Sequence, residues 1–204
     1  MRLWRCLAAA WLAVCLSLPA LAAGAADAQA LVRTTADKVL AEVKANKREL
    51  DRSPARIYEL VQAHVVPHFD FTRMAQSALG RHWRSATDEQ RAALTREFQE
   101  LLVRTYAVAL LNYSGQQIEY LPLRAGGAED DVLVQTRVTE PGAPPVPIDY
   151  RLSQAAGRWK VYDVVIDNVS LVSNYRSSFA EQVQRGGVDG LIQQLADRNR
   201  QLRG

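Results

Sequence analysis

Cysteine is almost missing from this 204-residue chain, and the two present, Cys6 and Cys15, both lie near the N-terminus. They fall in a segment with the features of a secretory signal. Arg2 and Arg5 open it, and Cys6 to Leu18 is apolar apart from Ser17. Pro19 then precedes Ala20-Leu21-Ala22, whose small residues suit signal peptidase. We place the signal peptide at 1–22, with cleavage after Ala25 or Ala26 as later alternatives. The apolar run is shorter than the ~20 residues a spanning helix needs. Leu12-Ala13-Val14-Cys15 makes a poor lipidation site, because valine precedes the cysteine and the apolar run continues past it. Residues 23–204 then form a single domain with no cysteine. That excludes disulfides, a thiol nucleophile and thiolate metal sites, although the expected compartment is oxidising. Stability must come from packing, and ~180 residues suffice to build a core.

An excess of one charge is also missing. Taking Arg2 and Arg5 away leaves 23 basic against 22 acidic residues, a net charge of +1. A near-neutral chain offers no electrostatic case for nucleic acid, and the single basic-aromatic cluster His82-Trp83-Arg84 reads as a loop around a buried tryptophan. The catalytic fingerprints are missing too: there is no Gly-x-Ser-x-Gly, phosphate loop or dinucleotide motif. The three histidines are His64, His68 and His82. The first two are four apart, but Pro67 bends the turn between them, and no glutamate follows the first as in zinc proteases. We expect no metal and no cofactor.

What is present is aliphatic periodicity. Helical spacing runs from about Asp27 to Lys47 through Val32, Ala36, Val39, Leu40 and Val43. Ser53-Pro54 predicts a second helix start, with Ile57, Leu60, Val61 and Val65 as its stripe. Asp70 predicts the cap of a short helix ending near Gly80. Thr87 with Gln90 predicts a capping box. The helix after it reaches about Tyr113 and is apolar on more than one face in its second half, so it must be covered on several sides. Strands follow at Gln117–Leu123, Asp131–Glu140, Pro147–Gln154 and Arg158–Ile166, with links short enough for an antiparallel meander. The run Val164-Val165-Ile166 breaks the alternation of the last strand and predicts a bulge, or burial on both faces, near Asp163. Two helices close the chain, divided at Gly186-Gly187, with Asp189 as cap of the second. Helices, then strands, then helices make an α+β domain.

Periodicity does not distinguish a solid core from a lined cavity. Two rival functions stay open at this level. One is a small-molecule enzyme with a cone-shaped cavity, for which Asp163 with Tyr106 or Tyr150 is the best acid–base set. The other is a non-lipid periplasmic interaction module.

Several segments resemble the MlaC, or toluene-tolerance auxiliary, family of periplasmic phospholipid-binding proteins. They are Val66-Pro67-His68-Phe69-Asp70-Phe71-Thr72-Arg73-Met74-Ala75, continuing through Ala78-Leu79-Gly80-Arg81-His82-Trp83-Arg84; Gln90-Arg91 through Phe98 and Leu101 to Tyr106; Trp159 to Val164; Val169 to Phe179; and Asp189-Gly190-Leu191-Ile192. Together they span nearly all of 23–204 in the family's order. Asn168 stands where we expect glycine in many relatives, and asparagine tolerates left-handed geometry well enough to keep the turn.

The resemblance implies a four-stranded antiparallel curved sheet wrapped by about six helices, with an apolar lipid cavity between sheet and helices. It implies a non-enzymatic periplasmic phospholipid carrier that helps maintain outer-membrane lipid asymmetry, with the diacyl tails buried and the headgroup exposed. Its partners would be an outer-membrane lipoprotein–porin complex and an inner-membrane ABC transporter with an MCE-type lipid-binding ring; we expect a monomer. Placing the periodicity on that fold predicts a lining of Val103, Tyr106, Ala107, Leu110 and Leu111 from the long helix. The sheet would add Val132, Val134, Thr136, Ile148, Tyr150, Leu152, Val161 and Val165. Trp83, Asp163, Tyr175 and Arg176 are expected in the scaffold or at the mouth.

Overall fold

A computed structural model describes residues 19–123 and 130–203 of the chain. Most of the expected signal peptide and the Gly126-Gly127 link lie outside the described residues. The N-terminal helix α1 (Pro19–Ala45) turns its Val32, Val39 and Val43 stripe inward. Its backbone begins ahead of the expected cleavage point.

A short helix absent from the expectation, α2 (Lys47–Arg52), follows. Ser53 ends it and does not cap the next element, so α3 (Arg56–His64) starts beyond Pro54 without a side-chain cap. Val66–His68 forms one 3-10 turn. The Asp70 carboxylate then accepts the Arg73 backbone N–H at 2.9 Å and starts α4 (Phe71–Leu79), as the sequence predicts. A second 3-10 turn, Gly80–Arg84, leads to the capping box of α5 (Asp88–Ala107). There Gln90 N–H donates to Thr87 Oγ1 and Thr87 N–H donates to Gln90 Oε1. The helix does not stay regular to Tyr113; it tightens into a 3-10 turn over Val108–Asn112.

Five strands form an antiparallel meander: β1 (Gln117–Tyr120), β2 (Asp131–Thr139), β3 (Val146–Ala155), β4 (Arg158–Ile166) and β5 (Val169–Ser170). The fifth is a two-residue addition to the four expected. Asp167 and Asn168 join it to β4 with φ of 49° and 64°. A two-residue hairpin loop with positive φ at both positions matches the twist of the strands, and Asp and Asn accept that geometry more readily than most residues. The predicted bulge is present: Arg151 pairs with Asp163 but Leu152 pairs with Val161, leaving Tyr162 as the extra residue.

The last helix, α6 (Leu171–Arg203), is continuous except at Gly187, whose φ of 68° and ψ of −174° break it into the two expected pieces. Asp163 holds its start, accepting from Ser170 Oγ at 2.7 Å and from Val172 N–H at 3.2 Å. α4, α5 and α6 pack into a helical lobe. The sheet, α1, α3 and the end of α5 make the second half of the molecule. A parallel bridge from Phe69 to Val161, with Asp70 N–H donating to Val161 O at 2.8 Å, ties the halves together.

Candidate functional site

Between the inner face of the sheet and the helices α1, α3 and α5 lies a cavity of about 610 Å³, within the ~300–1,000 Å³ usual for ligand pockets. Each wall follows from a local pattern. α1 contributes Leu31, Val32, Thr35, Ala36, Val39 and Leu40 from its apolar stripe. The end of α3 and the turn after it add Val61, Val65, Val66, His68 and Phe69, and α4 adds Phe71 and Met74. The C-terminal half of α5 supplies Leu102, Val103, Tyr106 and Ala107, and the 3-10 turn beyond it supplies Ala109, Leu110 and Asn112. From the sheet come Ile118, Val138, Val146, Ile148, Tyr150, Val161, Val164 and Ile166.

The wall is aliphatic and uncharged over most of its area. Burial, and then the positive charges of Lys160 and Lys38, lower the His68 pKa, so the imidazole is neutral at pH 7. Burial pushes the Tyr150 hydroxyl up to about 12 and raises that of Tyr106, so both phenols stay protonated. Among the described residues the one lining carboxylate, Glu140, is exposed. It belongs to an opening where the lining reaches solvent: Tyr106 is 37% and Val146 41% exposed, and Ala109, Asn112 and Pro144 are exposed beside them. Gln116 Nε2 donates to Glu140 Oε2 at 2.7 Å and ties the two sides of that opening.

Of the predicted lining, Val103, Tyr106, Ala107, Leu110, Ile148, Tyr150 and Val161 face the cavity, whereas Leu111, Val132, Val134, Thr136, Leu152 and Val165 do not. The reasons differ. Leu111 turns toward the cluster of α1, α2 and α3, where its carbonyl accepts from Lys47 Nζ at 3.0 Å. Val132, Val134, Thr136 and Leu152 do point inward, but at the end of the sheet that α1 covers through Ala28, Leu31 and Val32; Val134 and Leu152 are fully buried in solid packing there. Thr136 donates to Ile148 O at 2.6 Å and is closed off. Val165 pairs with Asp149 on the outer face, because the Tyr162 bulge inverts the parity of β4 and brings Val164 and Ile166 inward instead. The α1 wall was missed although its stripe is plain in the sequence, and so were the loop residues Ala143 and Pro144, which have no periodicity to reveal them.

The groups that a catalytic reading would use are not assembled. Asp163 lies outside the cavity with both oxygens engaged at the start of α6. His64 Nε2 lies 3.1 Å from Glu42, and among the described residues no three His, Cys, Asp or Glu side chains gather as a metal site. Trp83 and Tyr175 pack on the helical core and with Asp163 serve the scaffold, while Arg176 is exposed outside the cavity and donates from Nε to Ser77 O.

The family model described as "MlaC protein" matches residues 33–197. The chain is 26% identical over 168 residues to the intermembrane phospholipid transport system binding protein MlaC of Haemophilus influenzae, covering 81% of this chain and 78% of that protein. It is 28% identical over 174 residues to the toluene tolerance protein ttg2D of Pseudomonas putida, covering 85% and 80%. A solved structure from Ralstonia solanacearum, of a phospholipid-binding protein in complex with a phospholipid, superposes with a TM-score of 0.80 at 41% identity. It covers 87% of this chain and 99% of that one.

Proposed function

The chain belongs to the MlaC family, and on that premise we propose that it carries a phospholipid between membranes, with the acyl tails in the α1–α5–sheet cavity and the headgroup at the Tyr106–Glu140 opening. The observation that carries this reading is the aliphatic, largely uncharged wall of a cavity of about 610 Å³ that opens to solvent beside polar groups. Each CH₂ of a lipid tail is worth ~0.8 kcal/mol in transfer from water, so two tails with about thirty such groups cost on the order of 20 kcal/mol to carry bare. A carrier must cover nearly all of that area and still let the lipid go. An apolar lining with few hydrogen-bonding groups does both, since dispersion and hydrophobic contact impose no obligatory geometry on release.

The segment 1–22 would deliver the carrier to the periplasm, and no helix among the described residues is long and apolar enough to cross a membrane. Its exchange partners would be the outer-membrane lipoprotein–porin complex and the inner-membrane ABC transporter with its MCE-type ring, and its task the upkeep of outer-membrane asymmetry. A monomeric carrier equilibrates lipid between such partners, and the direction follows from their relative affinities.

The test is mass spectrometry of lipids extracted from the purified protein. About one phospholipid per chain is the expected result. Protein that leaves purification without lipid, and takes none up from vesicles of phosphatidylethanolamine and phosphatidylglycerol, would sink the proposal.

A further inference from the structure

A second concavity, of about 720 Å³, lies on the helical lobe, apart from the apolar cavity, and its wall carries several cationic side chains. Arg73, Arg81, His82, Arg84 and Arg176 line it around Gly80. The backbone builds it. Gly80 ends α4 at φ 60°, a conformation that favours glycine, and the reversal brings Arg81 to Arg84 back beside α6. A Cβ at Gly80 would meet Arg176 Nε at 3.8 Å, an ordinary contact distance, so Arg176 lies directly over Gly80. From the far side, Arg91 braces the rim: its guanidinium donates to Trp83 O at 3.1 Å and to Arg84 O at 3.3 Å. Arg176 donates to Ser77 O at 2.8 Å and is held against the other wall.

The charges there are unbalanced. Some arginines elsewhere find carboxylates, as Arg56 does with Glu49, Arg91 with Asp88, and Arg104 and Arg203 with Glu100. Others, such as Arg48 and Arg158, stand singly among the described residues; what sets the groove apart is that several arginines converge on one concavity. In the groove only Arg73 meets a carboxylate, 3.4 Å from Asp131. Among the described residues Arg81, Arg84 and Arg176 have no carboxylate within salt-bridge distance, in a chain whose overall charge is only +3. Arg81 reaches no more than His82 Nε2, at 3.5 Å.

We propose that this groove docks an acidic segment of a protein partner, with Arg81, Arg84 and Arg176 taking its carboxylates. Guanidinium forks match carboxylates in two-point hydrogen bonds, and a braced rim loses little freedom on binding. The concave shape favours a protruding segment over a flat bilayer, which would touch only the rim. The proposal does not depend on lipid carriage, and lipid content is read separately in its test.

The probe is a short fluorescein-labelled Asp/Glu peptide, with its Asn/Gln counterpart as control, followed by fluorescence anisotropy on the full-length mature protein. The acidic peptide should bind better than its neutral counterpart. It should weaken as salt rises from ~10 to ~150 mM, where the Debye length falls from about 30 to about 8 Å. Arg81→Glu with Arg84→Glu should weaken it about tenfold or more. Arg81→Gln with Arg84→Gln should fall between, which covers the case of a reversal that perturbs folding. Arg185→Glu with Arg198→Glu, exposed residues outside the groove that change the net charge equally, should leave binding as it was. Bound phospholipid should be the same in every variant. Equal weakening by the two reversals would overturn the proposal, as would no preference for the acidic peptide. So would a reversal that abolishes binding to phosphatidylglycerol vesicles but leaves the peptide bound, since that marks a membrane-facing surface.

Discussion

The two ends of α5 carry similar aliphatic sequence into opposite surroundings. Toward its N-terminal end Leu94, Phe98 and Leu101 enter a packed core with α4 and α6, and Leu102 stands at the changeover, touching both that core and the cavity. Phe98 meets Tyr175 and Phe179 edge-on, with ring centroids 5.0 and 5.2 Å away, and those two lie 5.7 Å from each other. In the second half Val103, Tyr106 and Ala107, with Leu110 from the turn beyond, border a hollow. Aromatic rings fill the helical lobe, whereas the cavity's far walls are mostly the short side chains of α1 and the curved sheet. A protein interior normally packs near crystal density, so an aliphatic volume left open in one half while the other is filled is a feature of design and not of weak sequence. Hydrophobic residues therefore have two arrangements in one chain: filling a core that holds it folded, and walling an apolar space that the proposed lipid tails would occupy.

The sharpest way to break this comparison is to hollow out the filled half. Phe98→Ala removes a fully buried ring from the aromatic cluster and should cost about 3–5 kcal/mol of unfolding free energy. Urea denaturation reads the loss, and the folded fraction should keep its lipid. A variant as stable as the parent would mean that the lobe collapses onto the gap and is not the rigid half.

The next test sets two tryptophans against each other. Val134→Trp places a large ring at a fully buried position among Ala28, Val32 and Leu152, where overpacking costs about 1–3 kcal/mol. Leu110→Trp places the same ring on the cavity wall. It should leave stability nearly unchanged and displace bound lipid, as lipid extraction would record. Equal destabilisation by both would mean that the cavity behaves as ordinary core.

That pair also marks how far the sequence was legible. Alternation in β2 correctly turned Val132, Val134 and Thr136 inward, but alternation carries direction without depth. Whether an inward residue meets a ligand space or another helix depends on where α1 crosses the sheet, a long-range matter with no local signal. Val165 failed for another reason. The anomaly at Asp163 was visible, but a bulge shifts every residue after it to the other face, and nothing local says which residue is the extra one. Capping chemistry was the most legible layer: Asp70 and the Thr87–Gln90 box stand as predicted because their partners lie within one turn. Ser53 shows the limit, since proline and serine mark a boundary equally well when the serine belongs to the helix before it.

The smallest expected effect probes what fastens the end of α6 to the filled half. Arg203 and Arg104 hold the Glu100 carboxyl below the usual carboxylate range, against the opposing effect of its partial burial. In the unfolded chain those arginines are gone and the group titrates near ~4.3. A depressed folded pKa stabilises the fold fully above the unfolded value, and that contribution fades as pH falls through the folded one. Glu100→Gln should therefore melt slightly below the parent at pH 7, by much less than Phe98→Ala, since Arg203 is mostly solvent-exposed and its attraction is screened. The gap should begin to shrink as pH falls below the unfolded value of ~4.3 and close once pH passes the lower folded value, where the parent's carboxyl is also neutral. Melting curves of the two proteins across that range read the convergence directly. Lipid content should not follow it, because Glu100 does not line the cavity. A pH-dependent loss of lipid in the parent that Glu100→Gln abolishes would show that the two halves of α5 are coupled after all.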